Sequence, residues 1–303
     1  MPNSSMDQHT QIAPPRFGLG ELWPLIRDTA QAWNEDRAPR KGAALAYYTA
    51  FSLAPILIIT IAVAGAFYGE AAARGEIYEQ MKELLGPEGA HAVQAMIASA
   101  GRPGHGTVPT IVGVVMLVIG ATSALAELKD GLDQIWNAES ESVTGFWCYL
   151  LHFARKRLLS IGIILALGFL LLISLVLSAL LQILWRVWGG SDTTNVLLQA
   201  VNFGFSFVLV TALFATIYKV LPAVQLAWRD VIVGAAVTAL LFSIGKHLIG
   251  VYLGNSAATS MYGAAGSLLV VLVWVYYSAQ IFLFGAEFTK VYALRFGSLQ
   301  RLA

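Results

Sequence analysis

The chain has a single cysteine, Cys148, which excludes an internal disulfide, a CxxC redox pair and a cysteine-built metal cage. Charge is almost as scarce: Asp, Glu, Lys and Arg make up 12% of the 303 residues, about half the share found in ordinary soluble domains. A net charge of +1 gives no field that would favour nucleic acid as a partner. Catalytic signatures are missing too. No GxSxG, HExxH or GxxxxGK[ST] occurs, and His9, His91, His105, His152 and His247 are scattered over opposite expected faces. No metal site, cofactor or enzymatic activity is therefore expected. The first forty residues lack the short apolar core and small-residue cleavage site of a removable signal peptide, so the first span is expected to do the targeting.

What is abundant is apolar sequence, at 57% of the chain. Several runs reach the roughly 20 residues needed to cross a hydrocarbon core. With no water there to bond the backbone, helices are the default, and the alternation of a barrel is absent. The expected class is all-α and polytopic, with six transmembrane helices: Gly42–Tyr68, Val108–Ala126, Leu158–Leu184, Gln199–Leu221, Val231–Leu253 and Gly263–Ala286. Most basic residues fall before span one, between spans two and three, between four and five, and after six. The opposite side holds only Arg74, Lys82, Arg102 and Arg186. The positive-inside rule then puts both termini in the cytoplasm. Residues 1–40 read as a cytoplasmic tail, 41–290 as the six-helix domain and 291–303 as a second tail.

Two amphipathic stretches flank span one. In "FGLGELWPLIRDTAQAWNEDRAPRK", Leu22, Trp23, Ile26, Ala30 and Trp33 recur at helical intervals, the pattern of a helix lying on the cytoplasmic membrane surface. The extracytoplasmic segment 70–106 carries two stripes, one through Ile77, Met81, Leu84 and Leu85 and one through Val93, Met96 and Ile97, divided at Gly86-Pro87. Three readings stay open for it: a lid over the bundle, a connector resting on headgroups, and a docking surface.

Several polar residues in or beside the spans are candidates for a cavity or a gate. Pro55 should kink span one and free a carbonyl near residue 51, which Ser52 could partly re-satisfy. Tyr47, Tyr48, Ser52 and Pro55 are open to two readings, interfacial anchoring with a packing kink or the lining of a path, and Tyr276 joins them on span six. Lys246 lies within span five, where it either snorkels outward, with Asn202 as a partner, or contacts an anion or substrate. At the inner ends Lys129, Asp130, Arg229, Asp230 and Glu287 form a charged girdle that either locks the helices together or gates them. Glu287 is opposed by the helix dipole and needs a cation, for which Arg229, Lys129 and Lys290 are candidates.

Four stretches in this order, "AALAYYTAFSLAP", "SALAELKDGLDQIWN", "LPAVQLAWRDVIVGA" and "YGAAGSLLVVLVWVYYSAQIFLFGAEFT", resemble the YihY/BrkB family of bacterial inner-membrane proteins over about residues 20 to 295. By position the family's motif residues are Tyr47, Ser52, Pro55, Lys129, Asp130, Trp136, Pro222, Arg229, Asp230, Tyr262, Gly263, Trp274, Gly285 and Glu287. The resemblance implies a six-span inner-membrane protein, with transport of a lipid or another solute as the usual expectation and virulence labels on some relatives. An older "ribonuclease BN" label attaches to the same family, but no acid or histidine cluster here supports it. The expected partners are thus the lipid bilayer and a lipid or small solute, with no nucleic acid. The alternative is a non-transporting scaffold for envelope or virulence-related partners.

Overall fold

The computed structural model describes residues 19–50, 52, 69, 74–75, 78–79, 81–82, 87, 89–95, 107–138, 192–222, 224, 226–255 and 264–300. Span three, Pro55 with the kink expected there, Tyr262 and Gly263 lie outside them. Among the described residues all regular structure is helical.

A single 3₁₀ turn, Leu19–Glu21, leads into α1, Leu22–Glu35. Pro24 is tolerated in its first turn because the amide it lacks would have no intrahelical partner there. The helix closes when the Asp36 amide donates to the Ala32 carbonyl (2.9 Å) and the Arg37 amide to that of Asn34 (3.1 Å). Arg37 adopts a left-handed φ of 53°, which reverses the chain into α2, residues 38–50 with Ser52 also helical. Helix α3, Thr107–Ile135, spans 29 residues and contains expected span two. It ends on Asn137, whose φ of 47° and short polar side chain suit a left-handed cap. The Ala138 amide there reaches back to the Asp133 carbonyl at 2.8 Å.

Among the described residues, helices α4 (Asp192–Val220), α5 (Trp228–Asn255) and α6 (Ala264–Arg295) hold three segments long and apolar enough to cross a membrane: Phe203–Val220, Trp228–Tyr252 and Leu268–Arg295. They coincide with expected spans four, five and six. Pro222 ends α4, since the residue before a proline is pushed out of helical geometry. The connection is tied by Lys219, which donates to the Leu226 carbonyl and lies 5.6 Å from the Trp228 ring centroid.

Helix α6 is the hub, packing on α1, α3 and α5, while α4 packs on α5 and reaches α6 through Phe214 and Tyr218. The α5–α6 crossing is close because glycines oppose threonines in both directions. A Cβ on Gly234 would fall 1.8 Å from Thr289 Oγ1, and one on Gly285 would fall 1.9 Å from Thr238 Oγ1. Each threonine hydroxyl donates to a carbonyl one turn back on its own helix, Thr238 to Gly234 and Thr289 to Gly285, both at 2.7 Å. Buried Tyr218 of α4 joins them, donating to the Phe282 carbonyl at 2.7 Å and lying 3.1 Å from Thr238 Oγ1. Around this polar seam pack Leu132, Ile135, Phe214, Val231, Phe282 and Leu283. At the far end of α5 and α6, Ala92 and Val93 of helical residues 89–95 pack on Ile249, Val270 and Val271.

Helix α1 turns a different face to the protein from the one its strongest apolar stripe suggests. Leu25 and Thr29 are fully buried, whereas Trp23 and Ile26 of that stripe are exposed. The α1 face with less apolar bulk is enough for contact with α6, helped by an Arg295–Asp28 ion pair at 3.0 Å. Trp33, at the end of the bulkier stripe, packs against the core, so the exposed part of that stripe is Trp23 and Ile26.

Candidate functional site: a buried charge centre

The end of α6 that carries Gly285 and Thr289 also carries Glu287, whose side chain is 0% exposed. Among the described residues neither carboxylate oxygen has an N–H or hydroxyl donor, and the side-chain neighbour of the group is the Asp36 carboxyl. The Nζ of Lys41, at the start of α2, is likewise buried and without a bond, as are both amide atoms of Gln280, two turns before Glu287 on α6. Small residues make this arrangement possible. The Gln280 amide occupies the space a Cβ on Gly42 would need, 2.0 Å from Nε2. Gly131 of α3 packs beside Leu283 and the Lys41 stem at ordinary contact distance.

Around this core stand Asp36 from the α1–α2 turn, Glu127 and Asp130 from α3, and Lys290 from α6. Asp36 pairs with Lys290 at 3.8 Å, both largely covered, and its carboxyl also lies beside Glu287. Burial lowers the pKa of Lys41 from its ordinary value of 10.5, against the pull of Asp36, Glu287, Glu127 and Asp130. Four carboxylates therefore surround two lysines. Chemically, such a centre can exchange ion-pair partners or hold a proton or polar group with little rearrangement, because its donors and acceptors are not committed.

The residues singled out from sequence are only partly brought together. Glu287 and Asp130 belong to the centre, but the cations near Glu287 are Lys41 and Lys290. Lys129 is instead paired with Asp133 on its own helix, and Arg229 is exposed. Asp230 is buried for a different purpose: its carboxylate accepts from the Ser298 amide (2.8 Å) and hydroxyl (2.6 Å), fastening the chain after α6 to the start of α5. Gly297 is required beside it, since a Cβ there would come within 2.5 Å of that carboxylate.

Ser52 is buried, and its hydroxyl donates to the Thr49 carbonyl at 3.1 Å. It backs onto Gly120 of α3, where a Cβ would sit 3.0 Å from that of Ser52. Tyr47 is 55% exposed and edge-on to Tyr48, with ring centroids 5.6 Å apart, and Tyr276 is 38% exposed. Neither Tyr47 nor Tyr276 is part of the charge centre. Lys246 lies elsewhere again, lining a cavity of about 150 Å³ between α4 and α5.

Sequence reasoning missed Asp36, Lys41 and Gln280 as members of the site. Gln280 carried a usable signal, being the only amide in the apolar run of α6. Lys41 did not stand out among the basic residues that precede span one.

Comparison with known proteins matches residues 29–302 to the family described as "Virulence factor BrkB". Similar curated proteins bear the name "UPF0761 membrane protein". One from Alcanivorax borkumensis is 26% identical over 94% of this chain and 64% of its own length. One from Tolumonas auensis is 27% identical over 86% of this chain and 82% of its own length. A third, from Pseudomonas aeruginosa, is 28% identical over 86% of this chain and 61% of its own length. The chain thus spans just under two thirds of the length of several of these relatives. No solved structure matches it. With the family match running from the second half of α1 through the Gly285–Thr238 crossing and Glu287 to the end of the described residues, this chain is a membrane protein that belongs to the virulence factor BrkB family.

Proposed function

We propose that the protein is a permease-like transporter of a lipid or another solute in the bacterial inner membrane, with six spans and both termini in the cytoplasm. The observation that carries this reading is the charge centre: the polar ends of Glu287, Lys41 and Gln280 are buried, and among the described residues those of Lys41 and Gln280 have no hydrogen-bond partner while Glu287 has only the Asp36 carboxyl beside it. A bundle that only needed to stay folded would gain by replacing these groups with apolar ones, because desolvating them costs free energy that unformed bonds do not return. In a membrane protein such groups mark paths for ions or substrates. Lys41, Arg229, Lys290 and Arg295 gather at the same end of the molecule as the centre, which supports a cytoplasmic gate.

The test is flux through the full chain in proteoliposomes, using NBD-labelled phosphatidylglycerol bleached by external dithionite and, separately, an entrapped small fluorescent solute. The expected result is movement of at least one probe above that of protein-free vesicles, strongly changed by Glu287→Gln. Movement of neither probe through correctly folded protein would contradict the reading.

A further inference from the structure

Two acids meet inside the charge centre. The Asp36 carboxyl, on the α1–α2 turn, is the side-chain neighbour of the Glu287 carboxyl on α6. Glu287 is fully buried, and neither of its oxygens has a donor among the described residues. No lysine there bonds to it. Lys290, one turn further along α6, pairs with Asp36 at 3.8 Å, and the Nζ of Lys41 makes no hydrogen bond. The titratable groups on the neighbouring elements are otherwise engaged or acidic. Glu127 and Asp130 of α3 act on Lys41. Asp28 of α1 pairs with Arg295, Asp230 of α5 holds Ser298, and Tyr218 of α4 donates to the Phe282 carbonyl. Arg229 is exposed. Two carboxyl groups in contact, one of them shut off from water, repel as a pair of ions but bind each other through a shared proton.

We propose that Asp36 and Glu287 form a proton-binding site, one proton bridging the two carboxyl groups; its role as the ion coupled to transport rests on the transporter reading above. The two acids differ in access. Asp36 keeps 22% of its side chain exposed and Glu287 none, so the proton enters from solvent at Asp36 and passes inward to Glu287. A metal cation suits the site less well. The Lys41 ammonium already acts on Glu287 and would repel one, and among the described residues no three His, Cys, Asp or Glu side chains are placed to hold a metal. A proton needs neither a cavity nor further ligands. While bound, it lets Asp36 hold both Glu287 and Lys290, which fastens the α1–α2 turn to α6. Its release to solvent leaves two repelling carboxylates and only the Lys290 pair to keep the turn in place.

Infrared difference spectroscopy of the full chain in liposomes, stepped from about pH 5 to about pH 9, reads the site without any flux. The unmodified chain at about pH 7 should show the carbonyl stretch of a protonated carboxyl group, shifted in heavy water. Glu287→Gln and Asp36→Asn should each remove that band, and Asp36→Glu, which keeps a carboxyl, should retain it. Absence of the band from the unmodified chain would overturn the proposal, as would a band that survives both amide substitutions. Loss of the band when sodium chloride replaces choline chloride at constant pH would overturn it in favour of a metal-cation site. The band without flux of either probe would uphold the proton site and overturn only the transporter reading. Flux without the band would overturn the proton site and leave transport standing.

Discussion

Lys41 and Glu287 face each other across the same centre, yet removing them should have unequal effects. Glu287 is one of four carboxylates acting on Lys41, so Glu287→Gln leaves that lysine with Asp36, Glu127 and Asp130. Lys41→Met, in contrast, leaves buried Glu287 beside Asp36 with Lys290 as the nearby cation. Glu287→Gln should therefore change stability by no more than about 1 kcal/mol, while Lys41→Met should cost roughly 2 kcal/mol, less than a fully buried pair because part of Lys41 reaches solvent. Thermal unfolding of the two variants in one detergent checks the order. A pH dependence follows from the same residue. Burial disfavours the charged form of Lys41 in the fold, so between its lowered pKa and its ordinary 10.5 the unfolded chain binds more protons. Stability from this group thus rises as pH climbs through that window, and the difference between wild type and Lys41→Met should shift accordingly. Melting temperatures of both proteins from pH 8 to about pH 10.5 would show it.

At the level of elements, the α5–α6 crossing depends on missing side-chain atoms more than on added ones. Gly285→Ala would push a methyl group to within 1.9 Å of Thr238 Oγ1 and 2.7 Å of the Tyr218 hydroxyl. The expected cost is at least about 3 kcal/mol, at the upper end of ordinary overpacking because both obstacles are hydrogen-bonded in place. Thr238→Ala should partly rescue it, read as recovery of folded protein after detergent extraction. These helices also show what sequence can and cannot reveal. Spans four, five and six were legible because their runs are long, uncharged and bounded by Pro222 and by charged ends. Their mutual fit was not, because the seam reads Gly-x-x-x-Thr on each helix, Gly234 to Thr238 and Gly285 to Thr289, and not the glycine pair expected of close helices. For α1 the helix was legible but its buried face was not. Trp23 and Ile26 dominate its amphipathic pattern, yet the contact with α6 goes through Leu25 and Thr29. Glu287 could be found from its charge near a helix C-terminus; its true neighbours depend on the Asp36-Arg37 reversal, whose left-handed Arg37 no local residue preference announces.

For the whole molecule, α6 makes two separate contacts at opposite ends. Near its C-terminus it holds the charge centre with α1, α2 and α3, and near its N-terminus Val270 and Val271 receive Ala92 and Val93 of residues 89–95. The central claim is that this centre is reached by water from one side of the membrane and is not a sealed knot of charge. Maleimide labelling of Gln280→Cys in a Cys148→Ala background tests it most directly, using a membrane-impermeant reagent on right-side-out and inside-out vesicles. The expected result is labelling of folded protein from the cytoplasmic face alone, diminished when α2 is locked against α6. Absence of labelling from both faces, in protein that labels fully once denatured, would contradict the claim and leave the centre as a structural pin.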